Sequence, residues 1–258
     1  MKETGPAWLA CRVSCYRPFE SLAFAHLAEL GVPWVEMHAP EADKLAETQA
    51  ALGTHGLRVS MAQARAFLQE AEFVSQVRGA AEMAKQLEAR LVLLNIASNE
   101  TPMATVVERL RRAGDEAERL GVTLAIETHP DLAHNAAATL ATMREVDHPR
   151  VRINFDPANI LYYNVGMDPV RELEQIAKYL VGVHLKDTPG GYQQREFPAL
   201  GRGVVDFVGL FATLRRAGFD GPCTIELENT PGQTPTEAAV CARVAESVEF
   251  IRRLGIPG

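Results

Sequence analysis

The chain has 258 residues, 47% of them hydrophobic, and a formal net charge of −7. That length suits one α/β domain of roughly 250 residues, with core enough to fold without disulfides or a structural metal. The acidic balance argues against a nucleic-acid footprint, which needs clustered Lys and Arg, and no apolar run approaches the ~18 residues of a membrane span.

Arg109, Arg111 and Arg112 do cluster, but they alternate with acids and read as a solvated helix face. Cys11, Cys15, Cys223 and Cys241 show no CxxC spacing. Placed in one extended strand, Cys11 and Cys15 would stand about 13 Å apart, too far for a bridge, so reduced thiols are expected. The stretch Met1-Lys-Glu-Thr-Gly-Pro6 lacks the apolar centre of a signal peptide, and a cytoplasmic protein is the expectation.

In chain order, short apolar runs alternate with longer segments of helical period. The expected strands are Trp8–Ser14, Trp34–His38, Arg58–Ala62, Leu91–Ile96, Thr123–Glu127, Arg152–Asp156, Val181–Lys186 and Cys223–Glu226. Helices are expected over Phe19–Leu30, Glu41–Leu52, Ala71–Leu87, Ala104–Leu120, Ala136–Val146, Pro169–Tyr179, Asp206–Ala217 and Pro235–Leu254. Gly31, Gly121 and Gly218 each stand where a helix closes in a left-handed residue before the next strand. Strand ends recurring every ~30 residues imply parallel strands joined by helical crossovers. Eight such units predict a single (β/α)8 TIM barrel, α/β and eight-stranded, across residues 1–258. An open doubly wound sheet fits less well, because no glycine-rich phosphate loop follows the first strand. One connection breaks the rhythm: Asp187–Gly203 is long and glycine-rich, as a functional lid would be.

In such a barrel, chemistry gathers at strand C-terminal ends. Four consecutive strands end in Glu127, Asp156, His184 and Glu226. Side chains alternate along a strand, so Leu124 and Ile126 facing the helices leave Glu127 pointing inward. Ile225 and Leu227 place Glu226 inward in the same way, with Glu228 further out on that side. Three carboxylates in one mouth would raise their own pKa values unless a cation neutralised them. Three oxygens and an imidazole suit one divalent ion, Mn²⁺ foremost, then Zn²⁺, Co²⁺ or Mg²⁺, with positions left open for substrate. His129, Asn159, Lys186, Glu36, His38, Asn95 and Arg202 are the candidate substrate contacts. Of these, Lys186 shares the inward side of His184 and could stabilise a developing enolate charge. His26, His55, His134 and His148 read as surface or packing residues.

Taken together, Ile126-Glu-Thr-His129, Asn154-Phe-Asp-Pro-Ala-Asn159, His184-Leu-Lys-Asp187, Leu200-Gly-Arg-Gly203 and Thr224-Ile-Glu-Leu-Glu228 resemble the xylose-isomerase-like superfamily of sugar (phosphate) isomerases and epimerases. The resemblance runs along the whole chain. It implies a TIM barrel with a divalent metal on Glu127, Asp156, His184 and Glu226, the two glutamates doubling as acid and base. Asn159 and Asn95 stand where the trinuclear apurinic endonucleases of the superfamily have histidines, which argues against a nuclease. Lys186-Asp187 replaces the arginine that follows the histidine ligand in free-ketose 3-epimerases. The His-Leu-Lys-Asp form also occurs among inosose dehydratases and hydroxypyruvate-isomerase-like proteins.

The expected function is therefore a metal-dependent isomerase or epimerase of a small polyhydroxylated carbonyl compound, working through an enediolate. A dehydratase of a keto-sugar or inosose is the alternative, ahead of a nuclease or a non-catalytic sugar-binding barrel. Neither nucleic acid nor membrane is expected as a partner, and a homodimer is consistent with a barrel's exposed helices.

Overall fold

Each apolar run becomes a parallel strand because a helix long enough to cross back follows it. The computed structural model describes residues 7–255, so the expectation for Met1–Pro6 lies outside the described residues. The strands are β1 (Trp8–Arg12), β2 (Trp34–His38), β3 (Arg58–Gln63), β4 (Leu91–Leu94), β5 (Thr123–Glu127), β6 (Val151–Phe155), β7 (Leu180–Leu185) and β8 (Pro222–Ile225). They pair in sequence order, and β8 closes on β1 to complete an all-parallel barrel. The α-helices are α1 (Ala23–Glu29), α2 (Leu45–Thr54), α3 (Phe73–Gln86), α4 (Met103–Leu120), α5 (Ala136–Val146), α6 (Pro157–Tyr163), α7 (Pro169–Ile176), α8 (Phe207–Arg216) and α9 (Glu237–Arg253). None of these is both long and apolar enough to cross a membrane.

Alternation divides the core into two layers. Leu124, Ile126, Ile153, Phe155, Ile225 and Leu227 pack outward against the helices. Met61, Leu93 and Ala125 form a smaller cluster inside the barrel. Polar side chains share that interior: Asn154 is fully buried beside Gly182, its register partner on β7. A Cβ on Gly182 would come within 2.5 Å of Asn154 Oδ1, so only glycine leaves room for that amide. The left-handed closure of α4 also appears where expected, at Gly121 with φ 76°.

The start of the chain corrects one expectation. β1 stops at Arg12, and Val13–Tyr16 turn as a 3-10 helix instead of extending the strand. Cys15 thereby turns toward β8, where its thiol donates to the Ile225 carbonyl at 3.3 Å, so the 13 Å spacing of an extended strand does not apply. Cys11 and Cys15 remain free, buried thiols. A short helix the periodicity does not show, α6, follows β6 directly. Asp156 caps it and Pro157 occupies its first turn, a pairing that favours initiation.

Candidate metal centre

Glu127 ends β5 and His184 lies in β7, whereas Asp156 and Glu226 each stand one residue past their strands. The closed barrel brings one ligand atom from each of the four within 4.8 Å of the others, and all four are buried.

Each carboxylate has one anchored oxygen and one that finds no hydrogen-bond partner. Asp156 Oδ1 accepts from the Ala158 and Asn159 amides at 2.8 and 3.0 Å, whereas Oδ2 has no partner. Glu226 Oε1 is bonded by Arg12, while Oε2 stands alone. Although His184 Nδ1 is 2.8 Å from that Oε2, the geometry misses a hydrogen bond. Glu127 Oε1 meets His184 Nδ1 at 3.0 Å, and its Oε2 is free. The other ring nitrogen, His184 Nε2, lies 2.9 Å from Glu36 Oε2. Three buried, partnerless oxygens around one imidazole nitrogen fit a divalent cation, since buried carboxylate oxygens are otherwise costly to leave unpaired.

Charge supports the same reading. Among the described residues, Glu36, Glu127, Asp156 and Glu226 pair with only two permanent cations, Arg12 and Lys186. Burial pushes the Asp156 carboxyl up to about 7, with Glu226 and Glu127 adding to the shift against Lys186 and His184. Burial would also raise Glu226, but Arg12, Lys186 and His184 hold it well below the usual carboxylate range. His184 is driven up, because Glu36, Glu226 and Glu127 outweigh the desolvation that would lower it. The imidazolium thus stands in for part of the missing positive charge.

The remaining expected contacts separate into two groups. Lys186 is buried, reaches Asp156 Oδ2 at 3.7 Å and Glu226 Oε2 at 3.8 Å, bonds Glu228, and lies 4.3 Å from the Phe197 ring centre. His129 Nδ1 is 3.5 Å from Glu127 Oε2, and its ring faces Tyr163. His38 lines a cavity of about 220 Å³ at the mouth, with Arg12, Ser14, Glu20, Gln63 and Arg65. Asn95 follows β4 in the inward register of Leu93 and is exposed.

Glu36, Asn159 and Arg202 are engaged by other groups of the protein. Glu36 is fully buried behind His184, because Arg12 and the imidazole both draw its carboxylate inward. Asn159 turns its amide to the Thr128 carbonyl at 3.0 Å and braces α6 against β5. Arg202 is exposed and pairs with Glu246 on α9. The backbone on both sides of Arg202 is pulled in, Gly201 and Gly203 donating to Asp187 Oδ2, so the side chain between them faces out.

The sequence reading passed over Arg12, Gln63 and Asp187. For Arg12 the signal was available: a charged residue at the end of β1, in the inward parity of Ala10, between the outward Leu9 and Cys11. A larger cavity, about 1100 Å³, opens at the opposite face among Trp8, Trp34, Arg58 and Leu91. It lies at the N-terminal ends of the strands, remote from the carboxylate cluster.

Comparison with known proteins bears on the fold and the family. L-ribulose-5-phosphate 3-epimerase UlaE of Salmonella paratyphi C is 31% identical over 149 residues, 57% of this chain and 50% of that protein. The chain thus spans about half the length of the curated relatives it matches. The crystal structure of D-psicose 3-epimerase with D-tagatose from Clostridium cellulolyticum H10 superposes with a TM-score of 0.78 at 15% identity, over 96% of this chain and 99% of that one. The probable 3-DHS dehydratase AsbF of Bacillus anthracis gives a TM-score of 0.73 at 18% identity, over 95% and 98%. At such identities these two structures speak for the fold alone. A family model described as xylose isomerase-like TIM barrel matches residues 24–254. With the closed parallel barrel, that match places the chain in the xylose isomerase-like TIM-barrel family.

Proposed function

We propose that this chain is a divalent-metal-dependent isomerase or epimerase of a small polyhydroxylated carbonyl compound, a sugar, sugar phosphate or cyclitol. The observation that carries the reading is the set of partnerless oxygens on Glu127, Asp156 and Glu226 around His184. These four residues would hold the ion, with Mn²⁺ the first choice for this donor set. When bound, the ion supplies Lewis-acid polarisation of a carbonyl and its neighbouring hydroxyl, acidifying the carbon-bound proton.

The protein's own groups supply the proton chemistry. One of Glu127 and Glu226 takes the proton from carbon, and the C–H electron pair moves toward the carbonyl oxygen to give an enediolate. The other glutamate takes up a proton from solvent or a substrate hydroxyl during the reaction and returns it to carbon. Return to the opposite face of the same carbon inverts the centre; return to the neighbouring carbon isomerises. Lys186, buried against Asp156 and Glu226, offers a fixed positive charge to the enediolate oxygens. His38 and Arg65 line the mouth cavity beside Arg12, where a hydroxyl or phosphate tail of the substrate would lie.

The experiment is metal analysis of the purified protein followed by a panel of ketoses, their phosphates and cyclitols in deuterated water. Solvent deuterium should enter the carbon next to the carbonyl, and Glu127→Gln or Glu226→Gln should slow that exchange by about 10²- to 10⁴-fold. Full retention of substrate protium through turnover would exclude the enediolate route. A product lacking one hydroxyl would move the chain to the dehydratases.

A further inference from the structure

Arg12 comes from β1, outside the four strands that supply the candidate ligands, yet it is buried against two of the acids. Its strand pairs with β2 on one side and β8 on the other. The guanidinium donates hydrogen bonds to two acceptors and forms an ion pair with a third oxygen, that of Glu36, which accepts no hydrogen bond from it. Nε lies 3.3 Å from Glu36 Oε1, one terminal nitrogen bonds Glu226 Oε1, and the other donates to Gln63 Oε1 at 2.5 Å. The second oxygen of Glu36 reaches His184 Nε2 at 2.9 Å. One planar fork is therefore tied to Glu226 directly and to His184 through a single intervening carboxylate.

We propose that Arg12 is a positioning residue for the divalent ion, fixing how two of its four ligands present their donor atoms. The inference rests on the metal-site reading above. By occupying Glu226 Oε1, Arg12 leaves only Oε2 turned to the cluster and makes this glutamate a one-oxygen ligand. By pairing with Glu36, it steadies the carboxylate beside Nε2, which sets the ring so that Nδ1 is aimed at Glu127 and Glu226. Arginine suits the task because its donors are fixed in one plane, whereas a lysine ammonium is a point charge that cannot hold Glu226, Gln63 and Glu36 in set directions.

A purely structural fork would behave differently. Its loss would lower the melting temperature of the metal-free protein and leave the ion's affinity and coordination unchanged. The test compares wild type, Arg12→Lys and Arg12→Met by calorimetric titration with Co²⁺ and by the visible absorption of the bound Co²⁺. Outer partners of metal ligands alter affinity by roughly 10- to 100-fold, and a loss in that range with an altered Co²⁺ spectrum is expected for both variants. Glu36→Gln added to Arg12→Lys should cost less than the sum of the two, because both act on His184. Wild-type affinity and spectrum in Arg12→Lys would overturn the proposal, and that variant decides the matter if Arg12→Met does not fold. Absence of Co²⁺ binding by the wild type would overturn the metal site itself, and Arg12's role with it.

Discussion

The two oxygens of Asp156 have different neighbours: Oδ1 caps α6, and Oδ2 faces the cluster without a hydrogen-bond partner. Burial lifts this carboxyl to about 7, against an ordinary value of 3.8. An acid whose pKa is raised by folding stabilises the fold below its unfolded value, and that contribution fades as pH rises through its folded value. In metal-free protein, Asp156 therefore contributes less and less between about pH 4 and pH 7. His184, also raised, loses its contribution only above 6.5. Glu226, held low, contributes at every pH above its ordinary 4.5 and does not offset the loss. Ligation needs Asp156 ionised and His184 neutral, so a divalent ion competes with both protons. The rise in melting temperature that the ion produces should grow from pH 5 to pH 8, with protons released in the titration. A rise independent of pH would remove Asp156 and His184 from the ligand set.

Among the elements, the Asp187–Gly203 connection combines a pinned base with an exposed middle. Asp187 is fully buried, and its carboxylate accepts from the amides of Thr188, Gly201, Gly203 and Val205 at 2.8 to 3.1 Å. Both ends of the connection are drawn to that one side chain. Further along, Gln193 donates to the Tyr162 carbonyl at 2.9 Å, and Phe197 lies over Lys186. Removing the carboxylate leaves four amides to find water or stay unpaired. Asp187→Ala should cost on the order of 2–3 kcal/mol. It should also speed amide hydrogen exchange across residues 188–205 while the β5 and β6 amides keep their protection. Unchanged exchange in that segment would show that the loop is held by its packing. The long glycine-rich composition marked this stretch as a lid; it did not reveal that a buried aspartate, adjacent to Lys186, is what closes its base.

At the scale of the whole molecule, the four candidate ligands come from β5 to β8, half of the closed barrel. An ion held there bridges strands whose residues are far apart in sequence, so it binds the folded chain in preference to the unfolded one. At 1,000 times the dissociation constant, that linkage amounts to about 4 kcal/mol. For a chain of this length it corresponds to a rise in melting temperature of about 10 °C. A chelator should abolish the rise, and Asp156→Asn should remove most of it. No change in melting temperature with any of Mn²⁺, Co²⁺, Zn²⁺ or Mg²⁺ would contradict the site.

The repeat of apolar strands and helices was legible in the sequence because alternation and helical period are local properties of the chain. So was the set Glu127, Asp156, His184 and Glu226: the end of a strand is a place that the pattern marks, and inward parity follows from apolar neighbours such as Leu124 and Ile225. What neighbours do to one another was not local. That Glu36 sits behind His184, that Asn159 braces α6 and that Arg202 faces Glu246 depended on which strand ends and loops close around each side chain. Arg12 shows the difference most directly. Its charge and parity are visible in five residues of β1, but its partners lie 24 and 214 positions away, and only barrel closure, with β8 pairing to β1, brings Glu36 and Glu226 to the same guanidinium.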